Sequence, residues 1–194
     1  MSSITLRIIF EEHLALESVL RSLQGHLAEA RRLDKRPDFH LVRNMLFYVD
    51  EFPERRHHKK ESELLFPKIR ARSLHARELM DELDAQHAQG EHAIHRLEHA
   101  LLAYEVMGES RREAFETAVH RYVDFYVAHM RLEESQVLPL ASRVLSAEDW
   151  ADLDDAFSQN RDPLVTHDPE LQYRRLYRRI AGQCSRLAGT SGAP

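Results

Sequence analysis

Apolar residues recur every three or four positions along most of the chain, which is the period of an amphipathic α-helix. The first stripe runs through Ile4, Ile8, Val19, Leu23 and Leu27. Polar breaks divide the pattern into four long helices over about residues 3–32, 39–71, 73–106 and 110–145. No alternating strand pattern interrupts them. The sequence therefore predicts an all-α fold, an up-down-up-down four-helix bundle with additional C-terminal helices.

Local signals mark the ends of these helices. Asp38 suits the N-cap of the second helix, and Gly108 suits the C-terminal end of the third. Pro53 predicts a kink, because proline lacks a backbone donor and clashes with the preceding turn. Ser146 and Asp149 predict the start of a shorter fifth helix that ends near residue 159. A final helix is predicted over residues 169–187, so we expect a bundle domain, 1–145, and a C-terminal helical extension, 146–194, packed on the bundle or trailing from it.

Composition excludes several classes of function. Acidic and basic residues are interspersed and the net charge is −5, so nucleic-acid binding is not expected. The single cysteine, Cys184, excludes an intramolecular disulfide, a thiolate zinc site and an iron–sulfur cluster, and it suits a reducing cytoplasm. No long apolar run or secretory signal occurs, so we expect a cytoplasmic protein without a membrane span, as a monomer or homodimer.

One sequence motif occurs twice in the chain. His57 precedes Glu61 by four residues and Pro67 follows, and 72 residues later His129 precedes Glu133 in the same way, with Pro139 following. On an α-helix, residues four apart lie on one face, about 40° apart around the axis. Each copy of the motif therefore places an imidazole beside a carboxylate.

Two further histidines extend the repeat. His13 precedes the first copy of the motif and His87 precedes the second, and the two histidines are 74 residues apart, close to the 72 of the motif. A lone histidine on a helix is usually a core or surface residue, but here four successive helices each contribute one. The predicted ligands are six residues, His13, His57, Glu61, His87, His129 and Glu133. Two imidazole–carboxylate pairs facing one point are the ligand chemistry of a dinuclear iron or manganese centre in a helix bundle.

Residues 51–61 (EFPERRHHKKE), followed by Leu65-Phe66-Pro67, resemble the hemerythrin-like, or HHE cation-binding, family over about residues 1–145. The resemblance implies a four-helix bundle around an oxo- or hydroxo-bridged di-iron site, with histidines as terminal ligands and Glu61 and Glu133 as bridges. Manganese or zinc are possible substitutes for the two iron ions.

The sequence departs from the oxygen-carrying members at two positions. Where they place a second histidine on the third helix, this chain has Glu91, and their spacing on the fourth helix selects Glu134 instead of Glu133. The internal repeat favours Glu133. In some relatives the residue after the second-helix histidine also binds metal, so His58 is a candidate seventh ligand, whereas Glu17 and Glu91 are weaker candidates.

The resemblance implies a non-haem di-iron protein that binds or senses O2 or NO. The alternative is a di-iron enzyme that handles peroxide, iron or nitrosative stress, including iron–sulfur repair, and a third hypothesis is a helical module whose metal only sets stability. A dedicated enzyme is less favoured than a ligand-binding protein, and relatives that repair clusters carry an N-terminal cysteine-containing domain that this chain lacks. Tyr48, Tyr122 and Tyr126 are expected to be core residues or hydrogen-bond donors near the metals.

Overall fold

The computed structural model describes residues 3–159, 161–165, 178 and 180–182. Within these residues the chain is helical and contains no strand, which confirms the predicted all-α bundle fold. The main helices are α1 (Ile4–Arg32), α2 (residues 39–72), α3 (Arg77–Met107), α4 (residues 112–144) and α5 (Ala147–Ser158). None of the described helices is long and apolar enough to cross a membrane.

The predicted helix ends agree closely with the structure. Asp38 is the N-cap of α2 and accepts two backbone N–H groups of its first turn. Gly108 is the C-cap of α3 with a φ of 74°, a conformation that glycine adopts without steric cost. Ser146 and Asp149 form a capping box at the start of α5. The third helix starts a few residues later than predicted, because Leu74–Ala76 forms a 3₁₀ turn before it.

Two of the long helices contain π-helical segments, in which the backbone bonds reach five residues back. In α2 these are Asp50–His57 and Glu61–Leu65, and in α4 the segment is Glu133–Val137. The irregularity expected at Pro53 takes this form, since the His58 N–H bonds to the Pro53 carbonyl. Single wide turns of this kind are frequent at functional sites.

The apolar core consists of two clusters. The larger one contains buried residues of α1 from Leu16 onward, of α2 before Pro53, and of the later half of α3 and the earlier half of α4, together with Ile180. The smaller one contains the start of α1, the end of α2, the start of α3 and the end of α4. This membership is what helices that alternate in direction would give. On α1, α2 and α3 the predicted ligands lie between the segments that form the two clusters, and on α4 Glu133 lies between them while His129 precedes Met130 at the end of the larger one.

The fifth helix packs against the smaller cluster. Leu153 and Phe157 are fully buried in it, and the Asp154 carboxylate accepts hydrogen bonds from Ser3 and Thr5 at the start of α1. The division into domains 1–145 and 146–194 stays a prediction. Of the helix predicted over residues 169–187, only residues 178 and 180–182 are described, and the rest lies outside the described residues.

Candidate metal centre

The seven candidate ligands lie together in the middle of the bundle, in two groups. In each group, one nitrogen or oxygen from every residue lies within 4.8 Å of the others. All seven side chains are buried. The two-histidine group consists of His13, His57, Glu61 and Glu133, and the three-histidine group consists of His58, His87 and His129.

Glu61 belongs to the two-histidine group and also reaches the three-histidine group. Its Oε1 is 3.3 Å from Nε2 of His57 in the two-histidine group, and its Oε2 is 3.6 Å from Nε2 of His87 in the three-histidine group. One oxygen therefore faces each group, which is the arrangement of a bridging carboxylate.

Glu133 occupies the equivalent place on α4. Its Oε2 is 3.3 Å from Nε2 of His13 and 3.5 Å from Nε2 of His129, and its Oε1 is 3.7 Å from Nε2 of His87. Its neighbour Glu134 is partly exposed and pairs with Nδ1 of His13 at 2.9 Å, on the far side of that ring. The spacing of four residues thus places the carboxylate in the centre, and the spacing of five does not.

Several of these buried atoms have no hydrogen-bond partner among the described residues. They are both carboxylate oxygens of Glu61 and of Glu133, and Nε2 of His87 and of His129. Burying polar groups without partners is costly, and native proteins rarely do so. Imidazole nitrogens and carboxylate oxygens are donors that iron, manganese and zinc accept. The donor set therefore fits a pair of metal cations.

Each of the five histidines has a partner for its outer nitrogen, Nδ1. Metal-binding histidines commonly hold their second ring nitrogen in this way, which fixes the tautomer and the ring orientation. A proton held on Nδ1 leaves the lone pair of Nε2 free to face the centre. The pairs are His57–Glu12 at 2.7 Å, His13–Glu134 at 2.9 Å, His58–Glu54 at 3.2 Å, His87–Ser62 at 2.8 Å and His129–Gln86 at 2.9 Å.

None of these five residues was predicted from the sequence to support a histidine, and Glu134 was considered only as an alternative ligand. Four of them stand directly beside a ligand in the chain: Glu12 before His13, Ser62 after Glu61, Gln86 before His87 and Glu134 after Glu133. A polar residue next to a ligand is the available sequence signal, but Glu12 and Ser62 support histidines of other helices. Pairings of that kind depend on how the helices are arranged.

Glu54 connects His58 to a pair of tyrosines. Tyr122 donates to its Oε1 at 2.7 Å, and Tyr126 donates a short hydrogen bond to the same oxygen. Burial raises the pKa of Glu54 to about 7, although both tyrosines act in the opposite direction. The Tyr126 ring also stacks almost parallel on His58, with 5.5 Å between ring centroids. Both tyrosines are thus buried donors near the site, but their acceptor is a supporting carboxylate.

In the metal-free protein, protons neutralise part of the centre. Burial lowers the pKa of His57, but the nearby Glu61 and Glu12 carboxylates outweigh it and hold that pKa well above 6.5. Burial and the positive charges of neighbouring histidines hold the pKa of His58 well below 6.5. Burial raises the pKa of Glu133, but His129 and His13 outweigh it and lower the value well below 4.5. Positive charge therefore collects on the two-histidine side.

The two groups have different surroundings. A small cavity of about 10 Å³ lies beside His13 and His57. That is room for about one water-sized molecule. On another side, an open cleft of about 650 Å³ between α2 and α3 reaches His58 and His87. The weaker candidates lie outside both groups: Glu91 is exposed, and Glu17 is half-exposed and pairs with Arg21. The third nitrogen of the three-histidine group thus comes from His58.

Comparison with known protein families gives one match. The model of the hemerythrin HHE cation binding domain matches residues 5–141, a range that contains all seven candidate ligands. No curated protein matches the chain.

Proposed function

The chain belongs to the hemerythrin HHE cation-binding family, and from this premise we propose that it is a non-haem di-iron protein that binds or senses a small diatomic ligand, O2 or NO. The family and the buried cluster of histidines and glutamates support a site for metal cations. Mixed imidazole and carboxylate donors favour iron, with manganese or zinc as possible substitutes.

The observation that carries the proposal is the asymmetry of the centre. Glu61 and Glu133 face both groups, but one group adds three imidazoles and the other only two. The group with fewer imidazoles is the one beside the small cavity. A protein built only to store or be stabilised by metal has no need of a cavity at its less saturated position. Two iron ions held here would supply an open coordination position and the electrons for reversible ligand binding.

The protein's own residues provide the surroundings for such a ligand. Leu16 and Phe52 line the cavity and are almost fully buried, so they exclude bulk water from the two-histidine group. Glu12 and Glu134 hold the two imidazoles of that group from behind. The rings are thus fixed before a ligand arrives, which lowers the cost of reorganisation on binding.

Metal analysis and spectroscopy test the proposal. Protein from an iron-replete culture should hold two iron ions per chain. Its absorption spectrum, recorded under anaerobic conditions after reduction, should change on addition of O2 or NO and return when the ligand is removed. Steady consumption of peroxide or of the added ligand would favour the enzymatic alternative. Zinc alone, without iron or manganese, would overturn the di-iron assignment.

A matched pair of variants identifies the bridge. Glu61→Ala should lose most of the bound iron, because two cations would be left under-neutralised in a low-dielectric core. Glu63→Ala should hold as much iron as the unmodified protein, because Glu63 is exposed and lies near Lys59, away from the centre. Elemental analysis gives the iron content of each. Equal losses in the two variants would contradict the role of Glu61.

A further inference from the structure

A segment beyond the matched domain reaches the centre. Residues 161–165, here called the covering segment, follow α5 and lie outside the family match, which ends at residue 141. The backbone N–H of Asp162 donates to Oε1 of Glu12 at 3.1 Å. The other oxygen of Glu12, Oε2, pairs with Nδ1 of His57 at 2.7 Å. One buried carboxylate therefore joins the covering segment to a candidate metal ligand.

The covering segment is held by α1 and α2. Tyr48 of α2, which is fully buried, donates a short hydrogen bond to Oδ2 of Asp162. The other oxygen of Asp162 accepts the backbone N–H of Leu164 at 2.7 Å, which fixes the turn. Arg161 forms a short ion pair with Glu11 of α1. Asp162 is itself only 5% exposed, so these contacts lie against the bundle.

The same residue lines the small cavity. Asp162 is part of its wall together with His13, His57 and the apolar side chains Leu16 and Phe52. Because the cavity has room for about one water-sized molecule, a larger ligand needs some part of the wall to move. The covering segment follows α5 and is attached to the bundle by hydrogen bonds of Asp162 to Glu12 and Tyr48, whereas the rest of the wall belongs to α1 and α2.

We propose that the covering segment is a cover over the two-histidine group, and that Tyr48 and Asp162 set how fast small ligands enter and leave the cavity. This inference rests on the proposed function, since it concerns the ligand position of that same site. Tyr48 and Asp162 are positioning residues: they hold the wall and, through Glu12, the His57 ring. Opening the cover breaks the Tyr48–Asp162 and Asp162–Glu12 hydrogen bonds, so removing the first of these makes opening easier.

The kinetics of azide binding test the cover in the full-length, iron-loaded protein. Azide is a small anionic probe whose binding to iron changes the absorption spectrum. We expect Tyr48→Phe and Asp162→Ala each to bind and release azide about tenfold faster, the factor that corresponds to one hydrogen bond of about 1.4 kcal/mol. The matched control is Tyr104→Phe. Tyr104 is also fully buried, but its hydroxyl donates to Glu109, away from the centre.

A second measurement does not depend on metal. In the apoprotein, the Asp162 amide should exchange slowly with deuterium, because it is buried and bonded to Glu12. Tyr48→Phe should accelerate its exchange, whereas Tyr104→Phe should not. Circular dichroism checks that each variant keeps its helices.

The outcomes separate the cover from the proposed function. Iron-loaded protein that binds no azide, NO or O2 would overturn the proposed function and the cover together. If the unmodified protein binds azide and both variants keep its rates, the cover alone is overturned. Faster amide exchange with unchanged azide rates would also overturn it, because ligands would then reach the centre by another route.

Discussion

Glu133 and Glu134 are neighbours in α4 but have different surroundings. Glu133 is buried, its oxygens have no hydrogen-bond partner among the described residues, and they face histidines of both groups. Glu134 is about one-third exposed and accepts from the outer nitrogen of His13. The first carboxylate would contact metal, and the second would only orient a ligand. These two roles differ in how much metal affinity they contribute.

We therefore expect Glu133→Ala and Glu134→Ala to differ in iron content. Loss of a bridging carboxylate should leave less than one iron ion per chain, because the remaining donors neutralise too little charge. Loss of an orienting partner should leave two iron ions at saturation with an affinity lower by about 10–100-fold. Elemental analysis after equilibration with a competing chelator measures both. A larger loss in Glu134→Ala would show that the spacing of five residues is the functional one.

The sequence predicts where a side chain lies when the residues that fix its position are its neighbours in the chain. The helical spacing of His57 and Glu61 is enough to place both on one face. His58 could only be a candidate, because adjacent residues on a regular α-helix point about 100° apart. The structure brings both histidines inward, where a π-helical segment ends at His57 and another begins at Glu61. The partners of Nδ1 were not predictable, because several come from other helices.

At the scale of helices, Gly90 of α3 leaves space that a side chain of α4 occupies. A Cβ built on Gly90 would lie 1.9 Å from the Tyr126 hydroxyl oxygen and 3.1 Å from Oε1 of Glu54. Gly90 therefore makes room for the tyrosine that donates to Glu54, which in turn holds His58. Glycine in a helix usually costs stability relative to alanine, so its presence here is explained by this contact.

Gly90→Ala should accordingly destabilise the protein by about 1–3 kcal/mol, the usual cost of overpacking a core. Displacement of Tyr126 should also loosen the support of His58 and weaken metal binding. The control is Gly182→Ala, because a Cβ there meets nothing within 4 Å and alanine is the better helix former. Urea unfolding of the two apoproteins gives the comparison. A Gly90→Ala protein as stable as the Gly182→Ala protein would mean that the α3–α4 contact adjusts without cost.

The helix ends were predictable and the interior irregularities were not. Asp38 and Ser146 act through short-range hydrogen bonds to the next turn, so their sequence signal is local. A π-helical segment such as Glu133–Val137 has only five residues, about one turn, so it is too short to be recognised in a pattern of period 3.6 that extends over the whole helix. Pro53 indicated that α2 could not be regular, but not the form that the irregularity takes.

At the scale of the whole molecule, the candidate centre interrupts an otherwise apolar core. The two apolar clusters supply buried surface on either side, and hydrophobic burial is the main force that stabilises a folded domain. Between them lie two carboxylates whose oxygens have no hydrogen-bond partner among the described residues. The clusters should hold the helices together without metal, whereas the layer between them should be unfavourable until its charges are neutralised.

The apoprotein should therefore remain helical but melt at a lower temperature than the metal-loaded protein. A cation that binds the folded state and not the unfolded chain raises the free energy of unfolding in proportion to the logarithm of its concentration relative to its dissociation constant. Here Glu61 and Glu133 are buried close together, and in the apoprotein the raised pKa values of His13 and His57 keep protons beside these carboxylates in place of metal. Thermal melts followed by circular dichroism, with metal content verified before each scan, give the test. Helical signal at low temperature should be similar in both forms, and the midpoint should fall when chelator removes the metal. Identical midpoints would show that the histidines and glutamates of the centre contribute nothing through metal to the stability of the bundle.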